Sequence, residues 1–236
     1  MKPVFVHTAN VRNFIALMTD VEQRIGHDSL AMVWGRAGRG KTRTAKWYAT
    51  KNKCVYVTSL RDWSSLWMYQ DILKALGVQD ENIPKRKKQC FEMIVQIAEE
   101  RRQPFLLDEA DLLGSRLLES VRDLCKVTSI PWVLIGEESL PGLMNRDRRV
   151  WSRRCASLEF QPMDIPDIVG FAHKGADLEL HVNNADTIQR ETGGDIRLIE
   201  LVITKGESIA KANSSRELTA DIIAQAMKII IPEKSR

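Results

Sequence analysis

The chain has little with which to staple or anchor itself. Its 236 residues include four cysteines, Cys54, Cys90, Cys125 and Cys155, scattered without a Cys-x-x-Cys pair, and four histidines, at 7, 27, 173 and 181. That scatter argues against a zinc site and a disulfide framework, and it suits a reducing interior. No apolar run approaches the roughly 18 residues of a membrane span. Lys2 is not followed by the apolar core of a secretion signal, so a cytoplasmic protein without a membrane partner is expected. Charge of one sign is also scarce: 35 basic residues against 31 acidic leave a net +4, too little by itself to argue for nucleic acid. Aromatics make up 6% of the chain. Trp34, Trp132 and Trp151 sit in or beside apolar segments, and Trp63 and Trp67, four apart on an expected helix, read as one buried face rather than a base-stacking platform. No repeat or low-complexity tract is evident.

What is present is an alternation of short apolar runs and amphipathic stretches. A helix is expected over Thr8–Arg24. Strands are expected at Ser29–Trp34, Cys54–Thr58, Pro104–Leu107, Pro131–Ile135 and Ser157–Phe160. Helices are expected from Lys41, over Ser64–Leu76 with Gly77 as its stop, and over Gln89–Arg101 and Leu112–Lys126. Strands separated by helices predict an α/β domain whose mainly parallel sheet carries helices on both faces. After Pro162 no strand pattern remains, and three or four helices punctuated by Gly175, Gly193-Gly194 and Asn213-Ser-Ser215 are expected. The domains read as 1–162, nucleotide-binding with an N-terminal helical segment, and 163–236, a small helical lid.

Gly35-Arg36-Ala37-Gly38-Arg39-Gly40-Lys41-Thr42 fits GxxxxGK[ST]. Glycines let the backbone wrap so that its N–H groups face phosphate oxygens, Lys41 brings positive charge to the terminal phosphates, and Thr42 offers a hydroxyl to Mg²⁺. The helix that follows adds its positive end, and Arg43 belongs to the same binding stretch. A glycine-rich turn without function would match too. The apolar strand ending at Trp34 and the helix opening at Lys41 supply the context that favours phosphate binding.

The acidic half of such a site belongs at the end of another strand, and Phe105-Leu-Leu-Asp108-Glu109 supplies it. Asp108 suits Mg²⁺, directly or through water, and Glu109 is placed to activate the attacking water. The bland alternative is a helix start, with Asp111 and its acidic neighbours as cap and first turn. Binding and hydrolysis of ATP follow from the first reading.

Together these pieces resemble the AAA+ ATPases, P-loop NTPases with a parallel sheet flanked by helices plus a small all-helical lid. Ser152-Arg153-Arg154-Cys155 is similar to the Ser-Arg-Cys box of clamp-loader and replication-initiator members, whose arginine reaches the neighbouring subunit's site. Arg154 precedes the cysteine and Arg153 follows the serine, so the register leaves both open. Gly193-Gly194-Asp195-Ile196-Arg197 is similar to the second sensor, which makes Arg197 a γ-phosphate contact. The family's first sensor, usually neutral and polar, falls near Glu137, with Ser139 as the alternative. The resemblance implies catalysis that depends on oligomerisation.

Within that superfamily the Gly-x-x-Gly-x-Gly-Lys-Thr loop, the Leu-Leu-Asp-Glu-Ala-Asp run and Leu-Ile-Gly followed by Ser139-Leu140 resemble the transposition-helper type of Mu-like phages. That likeness implies ATP-dependent homo-oligomers, filaments or rings, on double-stranded DNA that select a target and attract or stimulate a transposase in a bacterial host's cytoplasm. Two basic clusters could meet DNA phosphates without reading sequence: Lys85-Arg86-Lys87-Lys88, expected in a loop, and Arg146, Arg148 and Arg149. From 146 to 154 five arginines face one aspartate; a solvated face or a subunit interface would use the same charges. The rival functions are an ExeA-type secretion or assembly ATPase without a DNA role, and a replication clamp or helicase loader.

Overall fold

The computed structural model describes residues 5–27, 29–146, 148–152 and 154–230. Arg153, one of the two arginines of the Ser-Arg-Cys-like box, lies outside them. Two compact units emerge: residues 13–36 with 41–160, and residues 1–12 with 37–40 and 161–236.

The first unit is built on five parallel strands, β1 (Leu30–Trp34), β2 (Val55–Thr58), β3 (Phe105–Asp108), β4 (Trp132–Ile135) and β5 (Arg154–Glu159), in the order β2-β3-β4-β1-β5. Successive residues of a strand face opposite sides, so a sheet covered on both faces must be apolar at every position. The three central strands obey. Leu30, Met32, Phe105, Leu107, Trp132 and Leu134 enter one core, while Ala31, Val33, Leu106, Val133 and Ile135 enter the other. Phe105 and Trp132 are paired in register and stack with centroids 4.3 Å apart at 5°. β5 begins three residues earlier than its apolar pattern suggests, because backbone pairing with Leu30 and Ala31 recruits Arg154 and Ala156 although this edge strand is partly exposed.

Helices α1 (Ala9–Glu22) and α2 (Lys41–Lys51) contribute Phe14, Met18, Val21, Ala45 and Tyr48 to one face. On the other lie α3 (Ser65–Ala75), α4 (Lys87–Arg101) and α5 (Ser115–Thr128), followed in the chain by the short α6 (Leu140–Arg146) and α7 (Arg148–Trp151). Ser64 caps α3 by accepting the Trp67 N–H, and Gly77, at φ +82°, ends it as its freedom at positive φ allows. The expected Trp63–Trp67 face does not form. Trp63 precedes the helix, buried, with Nε1 donating to Asp71 at 2.9 Å, whereas Trp67 is 44% exposed.

The second unit holds α8 (Ile165–Ala176), α9 (Val182–Thr192), α10 (Ile196–Ala212) and α11 (Ala220–Ile230) around Ile168, Phe171, Ile188, Ile199, Val202 and Ile222. Gly175, expected as punctuation, lies within α8.

Candidate functional site

The stretch leaving β1 bends in the way its glycines allow: Gly35, Gly38 and Gly40 have φ of +145°, +80° and +87°. A Cβ on Gly35 would come within 2.7 Å of the Phe160 carbonyl, so this glycine is required by close approach as well. Arg36, Ala37 and Arg43 are exposed, and Thr42 is half-buried in the first turn of α2.

Lys41 is 9% exposed, and its Nζ donates to the carbonyls of Gly35 at 2.6 Å and Arg36 at 2.9 Å. Burial lowers its pKa, while Glu137, Asp108, Glu109 and Asp111 pull in the other direction. The phosphate-loop lysine and the acidic strand end therefore share one electrostatic neighbourhood, although 67 positions separate Lys41 from Asp108 in the chain.

Asp108, the last residue of β3, is 1% exposed and well supplied with donors. Its Oδ2 accepts the Tyr56 phenol at 2.6 Å, its Oδ1 accepts the Glu109 N–H at 3.0 Å, and its carbonyl accepts the Ser59 N–H at 2.8 Å. Glu109 follows at φ +56°, a left-handed conformation uncommon for a glutamate. Its pKa is raised by burial and then by Asp108, Asp111 and Glu137, with Lys41 opposing. Such a shift brings a carboxylate closer to the basicity that proton abstraction near neutral pH requires.

The helix-start reading of Asp111 is corrected. Ala110–Leu112 form a 3₁₀ turn and α5 opens only at Ser115, behind Gly114. Asp111 instead accepts the Glu137 N–H at 2.9 Å, bridging from the end of β3 to the end of β4. Glu137 and Ser139 are both exposed, and Glu137 is the foremost carboxylate acting on Lys41.

Thr42 and Asp108 offer hard oxygen donors, the chemistry Mg²⁺ takes. Among the described residues no three His, Cys, Asp or Glu side chains form a group able to hold a metal ion. A magnesium ion here would depend on these two residues together with phosphate oxygens and water, its usual manner of binding.

Residues 37–40 group with the helical unit, and there the Gly38 carbonyl accepts the Ile196 N–H at 2.8 Å and Arg39 Nη1 donates to the Gly193 carbonyl at 2.6 Å. Arg39 is buried in this role. Asp195 caps α10, and Arg197 Nη2 pairs with Asp195 Oδ2 at 3.0 Å. Burial would raise the Asp195 pKa, but hydrogen bonds from Arg197 lower it on balance.

Arg154 is exposed on β5, its guanidinium 3.9 Å from the centroid of the Trp151 ring. The Lys85–Lys88 cluster departs from the expected loop: Arg86 is the cap of α4, and Lys87 and Lys88 form its first turn. All four are exposed. Lys87 lies over the Tyr69 ring at 5.8 Å, and Lys88 pairs with Glu92 at 3.7 Å. Arg146, Arg148 and Arg149 line a cavity of about 420 Å³ with Ser115 and Glu119. Sequence reasoning missed Tyr56 and the bridging role of Asp111, since both depend on which strands lie side by side.

Residues 23–144 match the model of a family described as AAA domain. The Mu-like prophage FluMu DNA transposition protein B of Haemophilus influenzae is 27% identical over 208 residues, covering 84% of this chain and 70% of that protein. ATP-dependent target DNA activator B of Escherichia phage Mu is 30% identical over 149 residues, 62% of this chain and 46% of the relative, so the match spans less than half of that protein. Among solved structures, Cdc6p from Pyrobaculum aerophilum superposes with a TM-score of 0.70 at 17% identity, over 99% of this chain and 71% of that one, a likeness of fold alone.

Proposed function

The chain belongs to the AAA domain family of ATP-binding and ATP-hydrolysing enzymes, and from that premise we propose that it is an ATP-driven switch on duplex DNA, one that oligomerises there, selects target DNA and recruits or stimulates a transposase. The similarity to transposition protein B over most of the chain carries this reading. The nucleotide-site geometry supports the ATP half of it, and the basic clusters support the DNA half.

In this proposal the amides of residues 35–43 surround the phosphates, and Lys41 exchanges its carbonyl partners for phosphate oxygens. Thr42 and Asp108 hold Mg²⁺, which when bound offsets negative charge on the phosphates. Glu109 orients the attacking water and accepts its proton. Arg197 serves the same protomer's γ-phosphate. Arg154 or Arg153 completes the site of a neighbour, so turnover rises with assembly.

For the DNA contact, Lys87 and Lys88 are informative. Cations in the first turn of a helix oppose its dipole and do not serve helix stability there. An anion such as a DNA phosphate would relieve that conflict. Lys85, Arg86, Lys87 and Lys88 are the primary contact in this reading, with Arg146, Arg148 and Arg149 as a second.

The test is ATP turnover across protein concentration, with and without nonspecific duplex, at two salt levels. Stimulation by DNA that fades with salt is expected. Turnover indifferent to DNA, with no duplex binding at low salt, would overturn the DNA role.

A further inference from the structure

Tyr56 sits on β2, the edge strand beside β3, and pairs in register with Leu106. Two residues on, Thr58 pairs with Asp108. Side chains two apart share a face, so Tyr56, Thr58 and Asp108 project from the same side of the sheet. Diagonal reach across this ladder brings the phenol to the carboxylate, where it donates to Oδ2 at 2.6 Å.

Two further contacts fix that phenol. Thr58 Oγ1 donates to the Tyr56 oxygen at 3.3 Å, leaving the phenolic proton for Asp108. Two hydrogen bonds in series polarise one another and strengthen the terminal donor. Lys46, on the helix that opens at Lys41, places its ammonium 5.7 Å from the ring centroid. With the Glu109 N–H on Oδ1, each oxygen of Asp108 has a protein donor, and the plane of the carboxylate is set from both ends.

We infer that Tyr56 is a positioning residue for the metal-holding acid: its hydroxyl fixes the orientation of the Asp108 carboxylate. Each oxygen of a carboxylate has room for about two partners. Tyr56 and the Glu109 amide take one position on each, which would leave the other position on each oxygen for a divalent ion or its water. A donor behind a metal-binding group typically affects metal affinity by about 10–100-fold. The inference rests on the proposed role of Asp108.

Removing only the hydroxyl isolates the effect. Tyr56→Phe keeps the ring under Lys46 and leaves Asp108 Oδ2 without its phenolic donor. The measurement is Mn²⁺ uptake followed by electron paramagnetic resonance, on protein saturated with ADP, for wild type, Tyr56→Phe and Asp108→Asn. Expected results are Mn²⁺ uptake by wild type, affinity about 10–100-fold weaker in Tyr56→Phe, and unchanged ADP affinity when divalent ions are absent. A merely structural tyrosine would alter the unfolding midpoint without this selective loss. Equal Mn²⁺ affinity in folded Tyr56→Phe and wild type overturns the inference. If Tyr56→Phe does not fold, Thr58→Val carries the test: a smaller weakening supports the relay, and unchanged affinity overturns it. Wild type that takes up ADP but no Mn²⁺ overturns the assignment of Asp108 and this inference with it, a result distinct from a Tyr56→Phe protein that matches a metal-binding wild type.

Discussion

Asp111 occupies the space that a side chain at position 136 would need. A Cβ on Gly136 would collide with Asp111 Oδ1, the same atom that accepts the Glu137 N–H at 2.9 Å. Gly136 is thus a glycine of close approach at an ordinary φ, and the ends of β3 and β4 are joined through it. Gly136→Ala should push the carboxylate aside and cost about 0.5–1.5 kcal/mol, the net worth of an exposed hydrogen bond whose partner water can replace. Equilibrium urea unfolding checks this; a midpoint equal to wild type would mean that Asp111 moves aside freely.

Glu109→Gln should separate binding from turnover. The amide keeps the shape but cannot take a proton, so ATP hydrolysis should fall by roughly 100-fold or more. Nucleotide affinity, read with a fluorescent ATP analogue, should remain within a few-fold of wild type, on the order of 1 kcal/mol. Loss of affinity in parallel with turnover would assign Glu109 to nucleotide binding instead.

The pH profile should respond to Glu137→Gln in a defined direction. The raised pKa of Glu109, due first to burial and then to like charges including Glu137, places the acid limb of kcat/KM above the usual carboxylate range. Removing the Glu137 charge lowers the Glu109 pKa, so its proton leaves at lower pH and the acid limb moves down. The same substitution removes the foremost carboxylate supporting protonated Lys41, whose pKa is already lowered by burial. The alkaline limb should therefore move down as well. Movement of either limb to higher pH contradicts the assigned pair.

The two basic clusters should differ in DNA binding. Neutralising Lys85, Arg86, Lys87 and Lys88 should flatten the slope of log affinity against log salt by about 0.9 for each DNA phosphate that is no longer neutralised. Neutralising Arg146, Arg148 and Arg149 should have the smaller effect on that slope. Filter binding of a random-sequence duplex from low to moderate salt provides the comparison, and the reverse ranking would move the main DNA surface to the cavity lined by the arginines.

The nucleotide site is legible in the sequence because its signals are local. The spacing of Gly35, Gly40, Lys41 and Thr42 and the run from Phe105 to Glu109 each lie within one strand end and its turn. The starts of β1 to β4 fall one residue inside the apolar runs, as pairing requires. What stays hidden depends on neighbours far along the chain. Nothing near Tyr56 announces that β2 lies against β3, and nothing near Asp111 announces the end of β4. The start of α5 departs from its expected place for the same reason: Asp111 turns to the Glu137 N–H, a 3₁₀ turn intervenes, and the helix waits for Ser115. The helical periodicity of α4 is apparent from Gln89, although Lys87 and Lys88 continue it backwards, because a basic run resembles a loop when charge alone is considered.

The left-handed backbone at Glu109 sets two kinds of selection against each other. An L-residue there gives up roughly 1–2 kcal/mol that glycine would keep. A variant library sorted only for heat resistance should drift towards Gly or Asn at position 109, while one sorted for ATP turnover should return to glutamate. Sequencing both pools would show whether this left-handed turn has been shaped by durability or by work.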